Sequence, residues 1–129
     1  MHDDPAHPAT TRSVLLEHAT SDGGMHLDWL IERPGTDAEH RLITFRCEHD
    51  PTDCAEWMGE RLADHRAVYL DFEGPISGGR GTVHRIWSKA CRVLIATADR
   101  IVVQMDGPMP ATFVLIRREG ARWTIGPPS

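Results

Sequence analysis

The segment Met25–Glu32 constrains the fold more than any other part of the sequence, because its residues alternate between two chemical types. Polar His26 and Asp28 are interleaved with three large apolar residues, Leu27, Trp29 and Ile31. A period of two predicts a β-strand that buries one face. On such a strand His26 and Asp28 project to the same side, with Cα atoms roughly 7 Å apart. They are either ordinary solvated residues or two ligands of a divalent ion that takes a third ligand from a neighbouring strand.

The preceding residues predict the partner of this strand. Residues 13–18 have strand character, and residues 20–24 are rich in turn formers, so the two strands form a hairpin. If the residue numbers of each cross-strand pair sum to 46, His18 lies opposite Asp28. A shift of one residue would turn His18 to the other face, and the sequence leaves the register open.

The rest of the chain predicts further short strands separated by turns. A helix is predicted within residues 50–65, with Thr52 or Asp53 as its N-cap, covering one end of the sheet. A glycine-rich loop follows at residues 73–81, and turns are predicted at 97–100, 107–110 and 119–120. The predicted strands are 41–47, 66–72, 82–87, 92–96, 101–105, 112–117 and 123–125. The pattern favours a compact antiparallel β-barrel of about eight strands, or a sandwich, with one or two short flanking helices.

Composition places this fold in a single domain. The chain has 129 residues, of which 40% are hydrophobic, enough for one real core. Residues 1–12 are polar and acidic without the pattern of a secretion signal, so we expect a flexible tail, a domain over 13–129 and a cytoplasmic protein with no membrane association. The three cysteines form no C-x-x-C pair and are expected to be packing residues.

Charge is unevenly distributed along the chain. Residues 1–64 hold 14 acidic and 5 basic side chains, whereas residues 65–129 hold 5 acidic and 9 basic ones. The basic excess lies around Arg80, Arg85, Lys89 and Arg92. This asymmetry is compatible with a localised phosphate site, but not with a broad surface for duplex nucleic acid.

Histidines and one glycine loop carry the candidate chemistry. His18, His26 and His65 are each adjacent to an otherwise apolar strand, and two imidazoles with one carboxylate suit manganese, iron or zinc. The loop 73–81 lacks the ending of a P-loop; it is either a wide turn or a device that lets Arg80 approach an anion. No Ser-His-Asp or G-x-S-x-G pattern is present.

Several ordered motifs resemble the 3′-phosphoesterase domain of bacterial DNA ligase D, also found as a stand-alone protein. The block DHRAVYLDFEGPISGGRGTV is similar to the family's central motif. Upstream of it, Glu17–His18 and MHLDWLIE stand where the family has K-H and L-H-Y-D-F-R-L-E. Downstream, DGPMPATFVLIRRE is similar to the family's terminal strand. Together these motifs span most of residues 13–119.

The resemblance implies a β-barrel enzyme that removes 3′-phosphates and 3′-ribonucleotides from DNA ends with manganese. By carry-over, His18, His26 and Asp28 would hold the metal, His65 would meet the scissile phosphate, and Tyr69 would be a secondary contact. Nucleic-acid 3′ ends would be the substrate, and a ligase or another end-joining protein would be a partner.

Three positions depart from the family pattern. Leu30 stands where the family strand has its phosphate-binding arginine, His49 lies near the family's lysine, and Ala63 replaces an acidic residue. An apolar side chain cannot replace a bidentate phosphate donor. Arg46, Arg66 or Arg80 would have to supply the lost charge from another direction. Two alternatives therefore stand beside the enzyme: a non-catalytic module that keeps the barrel, and a small-molecule-binding barrel without a metal.

Overall fold

A computed structural model describes residues 9–52, 56–107 and 111–128. In these ranges the one helix is a 3-10 turn at Ala67–Leu70, and all other regular structure is strand. The nine strands are β1 (Thr10–Ala19), β2 (Met25–Glu32), β3 (His40–Cys47), β4 (Trp57–Arg66), β5 (Gly74–Pro75), β6 (Thr82–Ala96), β7 (Arg100–Met105), β8 (Ala111–Glu119) and β9 (Arg122–Gly126).

Eight of the strands close into an antiparallel barrel. The order around the barrel is β1-β2-β3-β4-β9-β8-β7-β6, and pairing between β1 and β6 closes the ring. The two-residue strand β5 lies outside the ring, against the start of β6. Closure satisfies the hydrogen-bonding edges that an open sheet would expose. The predicted barrel is confirmed, whereas the predicted flanking helices are not found in the described residues.

The barrel interior is filled by the inward-facing residues of all eight strands. Trp29 contacts Phe113 edge-to-face with ring centres 5.6 Å apart, and Phe45 contacts Trp123 in the same manner at 5.3 Å. The indole N–H of Trp29 donates to the Ser13 hydroxyl at 2.7 Å, and that hydroxyl donates to the Leu30 carbonyl at 3.0 Å. These bonds satisfy the polar atoms that β1 and β2 bring into the core.

The helix predicted within residues 50–65 is wrong, because the described part of this segment forms β4. Its first residues alternate between buried and exposed, which is the period of a strand. Gly59 faces inward, where a Cβ atom would lie 2.7 Å from the Ile125 side chain. Pairing with β3 and β9 thus outweighs the weak helical spacing that the apolar residues also have. The proposed cap Asp53 lies outside the described residues.

The strand predicted at residues 66–72 is also wrong, since β4 ends at Arg66 and the 3-10 helix follows. The Ala67 N–H donates to the Glu39 carbonyl at 2.7 Å, which turns the chain back over the barrel wall. Val68 is then 49% exposed, while Leu70 is buried. The apolar residues of this segment therefore do not share one buried face, since Val68 points to solvent and Leu70 packs on the barrel.

The remaining strand predictions agree with the fold. The first hairpin, the β6–β7 hairpin across residues 97–100 and the β8–β9 hairpin are all present, although β6 runs unbroken from 82 to 96. The predicted turn at 107–110 lies largely outside the described residues. No helix within the described ranges has the length and apolar character needed to cross a bilayer.

The register of the first hairpin differs by two residues from the pairing considered above. His18 pairs with His26, and Leu16 pairs with Asp28. The Thr20 N–H donates to the Gly24 carbonyl at 2.9 Å and the Gly23 N–H donates to the Thr20 carbonyl at 3.1 Å, which closes a five-residue turn and thereby sets this register. A shift in the pair sum from 46 to 44 leaves each residue on its original face, so His18, His26 and Asp28 still share one side.

A second apolar cluster lies on the outer face of β1, β2 and β3. It consists of buried residues of these strands together with Leu70 of the 3-10 helix, and Tyr69 packs against it. Its strand members are Val14, Leu16, Leu30 and Leu42. The 3-10 helix thus covers part of the barrel wall, and Leu30 is completely enclosed there.

We expect Leu30→Ala to lower the free energy of unfolding by about 2–5 kcal/mol, because it leaves a cavity in this outer cluster. Leu30→Met should cost less than about 1.5 kcal/mol. Urea unfolding measures both, with Ile86→Ala as a control at a half-exposed apolar residue. Equal losses for Leu30→Ala and Ile86→Ala would contradict the outer cluster.

Candidate functional site

A small cavity of about 140 Å³ opens on the outer wall of the barrel beside the second apolar cluster. β1 and β2 form its floor, β4 and the 3-10 helix form one side, and the loop 73–81 with the start of β6 forms the other. The lining residues are Leu16, His18, Asp28, His65, Tyr69, Ile76, Arg80 and Val83. Five of the seven predicted site residues therefore line one cavity. The other two, His26 and Arg46, line an adjacent cavity of about 500 Å³.

His18 stands where β1 meets the loop. Its Nε2 lies 2.8 Å from the Arg80 carbonyl oxygen. A carbonyl only accepts hydrogen bonds, so Nε2 carries the proton and Nδ1 keeps its lone pair in the neutral ring. A histidine that donates one N–H to a backbone carbonyl has the usual arrangement of a metal ligand. The ring of His26, on the paired position of β2, is centred 6.3 Å from that of His18.

Asp28 supplies the carboxylate, and its side chain is only 7% exposed. The nearest cation is Arg46 on the paired position of β3, with Nε 3.5 Å from Oδ1 of Asp28. A carboxylate this buried needs a cationic partner or a metal. Arg46 is thus engaged with Asp28 on the side of the neighbouring cavity.

His65 reaches the cavity because of a bulge in β4. Between the pairs Thr44–Leu62 and Leu42–His65, β4 contains one residue more than β3. The extra residue turns His65 to the outer cavity, while Asp64 points away from it. The His65 Nδ1–H donates to the Ala63 carbonyl at 2.9 Å, which leaves Nε2 for other partners.

Two arginines bind the end of the 3-10 helix next to Tyr69. The guanidinium of Arg12 donates to the Leu70 carbonyl and to Asp71, both at 2.9 Å, and Arg85 donates to the same carbonyl at 3.4 Å. The Tyr69 ring is centred 6.0 Å from that of His65. Arg12 precedes the predicted strand and Arg85 lay in a basic cluster, so only the folded topology assigns them this role.

The loop 73–81 carries Arg80 over the cavity. The Ile76 N–H donates to the Gly81 carbonyl at 2.7 Å, and the Arg80 side chain donates to the Ser77 carbonyl at 2.8 Å. Gly81 has a φ of +95°, and a Cβ atom there would lie 2.0 Å from the Ala19 carbonyl oxygen. This glycine therefore permits both the loop conformation and its close approach to β1.

The chemical types of His18, His26 and Asp28 suit a divalent metal, although the three residues are divided between the two cavities. Two imidazoles with one carboxylate is a common set for manganese, iron or zinc. Two rings that share a metal have centres about 5 Å apart, so His18 and His26 would have to approach each other by about 1 Å. Within residues 9–52, 56–107 and 111–128, no three His, Cys, Asp or Glu side chains are already gathered around a point that could hold a metal.

The two described cysteines do not contribute reactive thiols. Both Cys47 and Cys91 are free and buried. Burial, with a smaller effect of the Asp28 charge, raises the pKa of the Cys47 thiol, and burial also raises the pKa of the Cys91 thiol. Protonated, enclosed thiols are poor nucleophiles and poor metal ligands, as expected of packing residues.

No protein-family model matches this chain, and no curated protein does. The resemblance to the 3′-phosphoesterase domain thus remains a prediction from the motifs themselves. Arg66, one of three residues considered as a replacement for the family's arginine, pairs with Glu39 at 2.8 Å and does not line the small cavity.

We expect Gly81→Ala to destabilise the protein more than Gly79→Ala does. Both glycines have positive φ, which costs an alanine about 1–2 kcal/mol, but only a Cβ atom at position 81 would collide with Ala19. Thermal unfolding of both variants measures the difference. Equal melting temperatures would contradict the close approach of the loop to β1.

Proposed function

We propose that the small cavity is the active site of a divalent-metal-dependent phosphoesterase, which removes 3′-phosphates or 3′-ribonucleotides from nucleic-acid ends during DNA repair. The observation that carries this proposal is the shared cavity of His18, Asp28, His65, Tyr69 and Arg80. These residues come from four separate segments of the chain, and their chemical types are those that phosphoryl transfer needs.

His18, His26 and Asp28 would hold the metal, most suitably manganese. When bound, the metal would polarise a phosphate oxygen and lower the pKa of a coordinated water. The hydrogen bond from His18 Nε2–H to the Arg80 carbonyl supports this role, because it leaves Nδ1 as the atom that would bind the metal. Asp28 would exchange part of its interaction with Arg46 for the metal, which the 3.5 Å separation of that ion pair makes feasible.

Arg80 would supply the positive charge that Leu30 cannot. It approaches the cavity from the loop, whereas the family's arginine would project from β2. A guanidinium has five N–H donors in a planar fork that matches phosphate oxygens. The contacts of Arg80 with Ser77 involve Nε and one terminal nitrogen, so further N–H groups remain for a phosphate.

His65 would act as the general acid. Hydrolysis forms a bond from a water oxygen to phosphorus and breaks the bond between phosphorus and the 3′ oxygen. In its imidazolium form His65 would give its Nε2 proton to the departing oxygen, because Nδ1–H is retained by the Ala63 carbonyl. The Tyr69 hydroxyl would donate a hydrogen bond to a phosphate oxygen.

A non-catalytic binding module is the second candidate, and Leu30 favours it. This residue is fully buried in the outer apolar cluster, so its side chain cannot contact a phosphate. Such a module would bind nucleic-acid ends or a protein partner, such as a ligase or another end-joining protein, without turnover.

We expect the wild-type protein to release phosphate from a 3′-phosphorylated primer when manganese is added. His26→Ala and Asp28→Ala should each reduce this rate by about 100-fold or more, since a lost ligand weakens both the metal and its chemistry. Each should also weaken manganese binding, measured by electron paramagnetic resonance. His40→Ala, at an exposed histidine outside both cavities, is the matched control.

Full activity in both ligand variants would overturn the site assignment. Manganese and primer binding by the wild-type protein without any cleavage would instead support the binding module.

A further inference from the structure

Another cavity lies at the end of the barrel where the β6–β7 and β8–β9 turns meet. It has a volume of about 650 Å³, within the usual range for small-molecule sites. Three arginines line it, from the end of β2, from β4 and from β8: Arg33, Arg61 and Arg117. Neither their spacing nor any motif drew attention to them in the sequence.

Arg61 places a cation partly inside the barrel end. Its side chain is 20% exposed, and its guanidinium carbon lies 5.5 Å from the centre of the Phe45 ring and 5.3 Å from that of Trp123. Burial lowers the pKa of this arginine, and the charge of Arg33 acts in the same direction, whereas Asp64 opposes the shift. A second negative group beside Arg61 would therefore be stabilising.

The acidic groups nearby only partly neutralise the three arginines. Asp64 is the one acid among the described residues that line the cavity, and it is shared by Arg33 at 2.8 Å and Arg61 at 3.5 Å. Asp99, which is 72% exposed, contacts Arg117 at 3.2 Å from outside the lining. The cavity thus keeps a positive excess.

The guanidinium groups also keep many hydrogen-bond donors. Each has five N–H groups. In the described part of the chain, Arg33 and Arg61 each use one nitrogen to bind Asp64, and Arg117 uses two nitrogens, for the Gly120 carbonyl and for Asp99. The three arginines line one cavity from three different segments, an arrangement that suits recognition of a multi-oxygen anion.

We propose that this arginine cavity binds a phosphorylated small molecule, with its phosphoryl group held between Arg33, Arg61 and Arg117. Phosphate oxygens suit the planar forks of arginine, and a phosphoryl group carries enough negative charge to offset the positive excess. The cavity is far larger than a phosphate, so the remainder of the ligand has room beside it. This inference does not depend on the proposed phosphoesterase activity, whose residues line a different cavity.

Isothermal titration with inorganic pyrophosphate in low salt and EDTA tests the proposal on the full chain. Arg33→Gln and Arg117→Gln should each weaken binding by about tenfold or more, because each removes a charged donor. Arg118→Gln is the matched control, since it removes an arginine next to Arg117 that lines a different cavity. It should keep the wild-type affinity within about twofold. Arg61→Gln is avoided as the main test because Arg61 packs on the core aromatics.

Wild-type affinity for pyrophosphate in both Arg33→Gln and Arg117→Gln would overturn the proposal. A second titration defines the ligand. Malonate should bind more weakly than pyrophosphate, and tighter malonate binding would overturn the choice of a phosphoryl ligand. Failure of the wild-type protein to bind pyrophosphate would overturn the site itself.

Discussion

Burial of the β1–β2 wall on both of its faces is the constraint on which the rest of the structure depends. The inner face packs into the barrel core, and the outer face is covered by the 3-10 helix. Both strands therefore need continuous apolar runs at their centres, at residues 14–16 and 29–31. Beyond the part that the 3-10 helix covers, the outer face of β1 and β2 carries polar residues. The candidate metal ligands are among them.

Patterns that depend on neighbouring residues were readable from the sequence. The alternation in Met25–Glu32 and the turn before it predicted the hairpin and the common face of His26 and Asp28, and the structure contains both. The face of His18 depended on the register, which the sequence left open. The exact register was open because hydrogen bonds within the Thr20–Gly24 turn decide it. The three residues share one face because the observed pairing is shifted by two residues from the pairing considered above, and a shift of two leaves every side chain on the same face of the sheet.

Features that depend on distant contacts were not readable. Gly59 favours neither a helix nor a strand by its own propensity. Its place in β4 depends on the Ile125 side chain, which packs against it. The extra residue in β4 turns His65 to the outer cavity, where the regular pairing would have placed Asp64. Arg80 belongs to the candidate site only because Gly81 can lie against Ala19. None of these contacts has a local signature.

The bond from His18 to the Arg80 carbonyl gives the loop 73–81 control over an imidazole tautomer. The carbonyl accepts a hydrogen bond from Nε2–H, which leaves Nδ1 as the acceptor atom of the neutral ring. Without that carbonyl, the proton could occupy either ring nitrogen. The position of the loop therefore affects which atom of His18 can contact a ligand. The Arg80 carbonyl oxygen thus connects the position of the loop with the tautomer of the His18 ring.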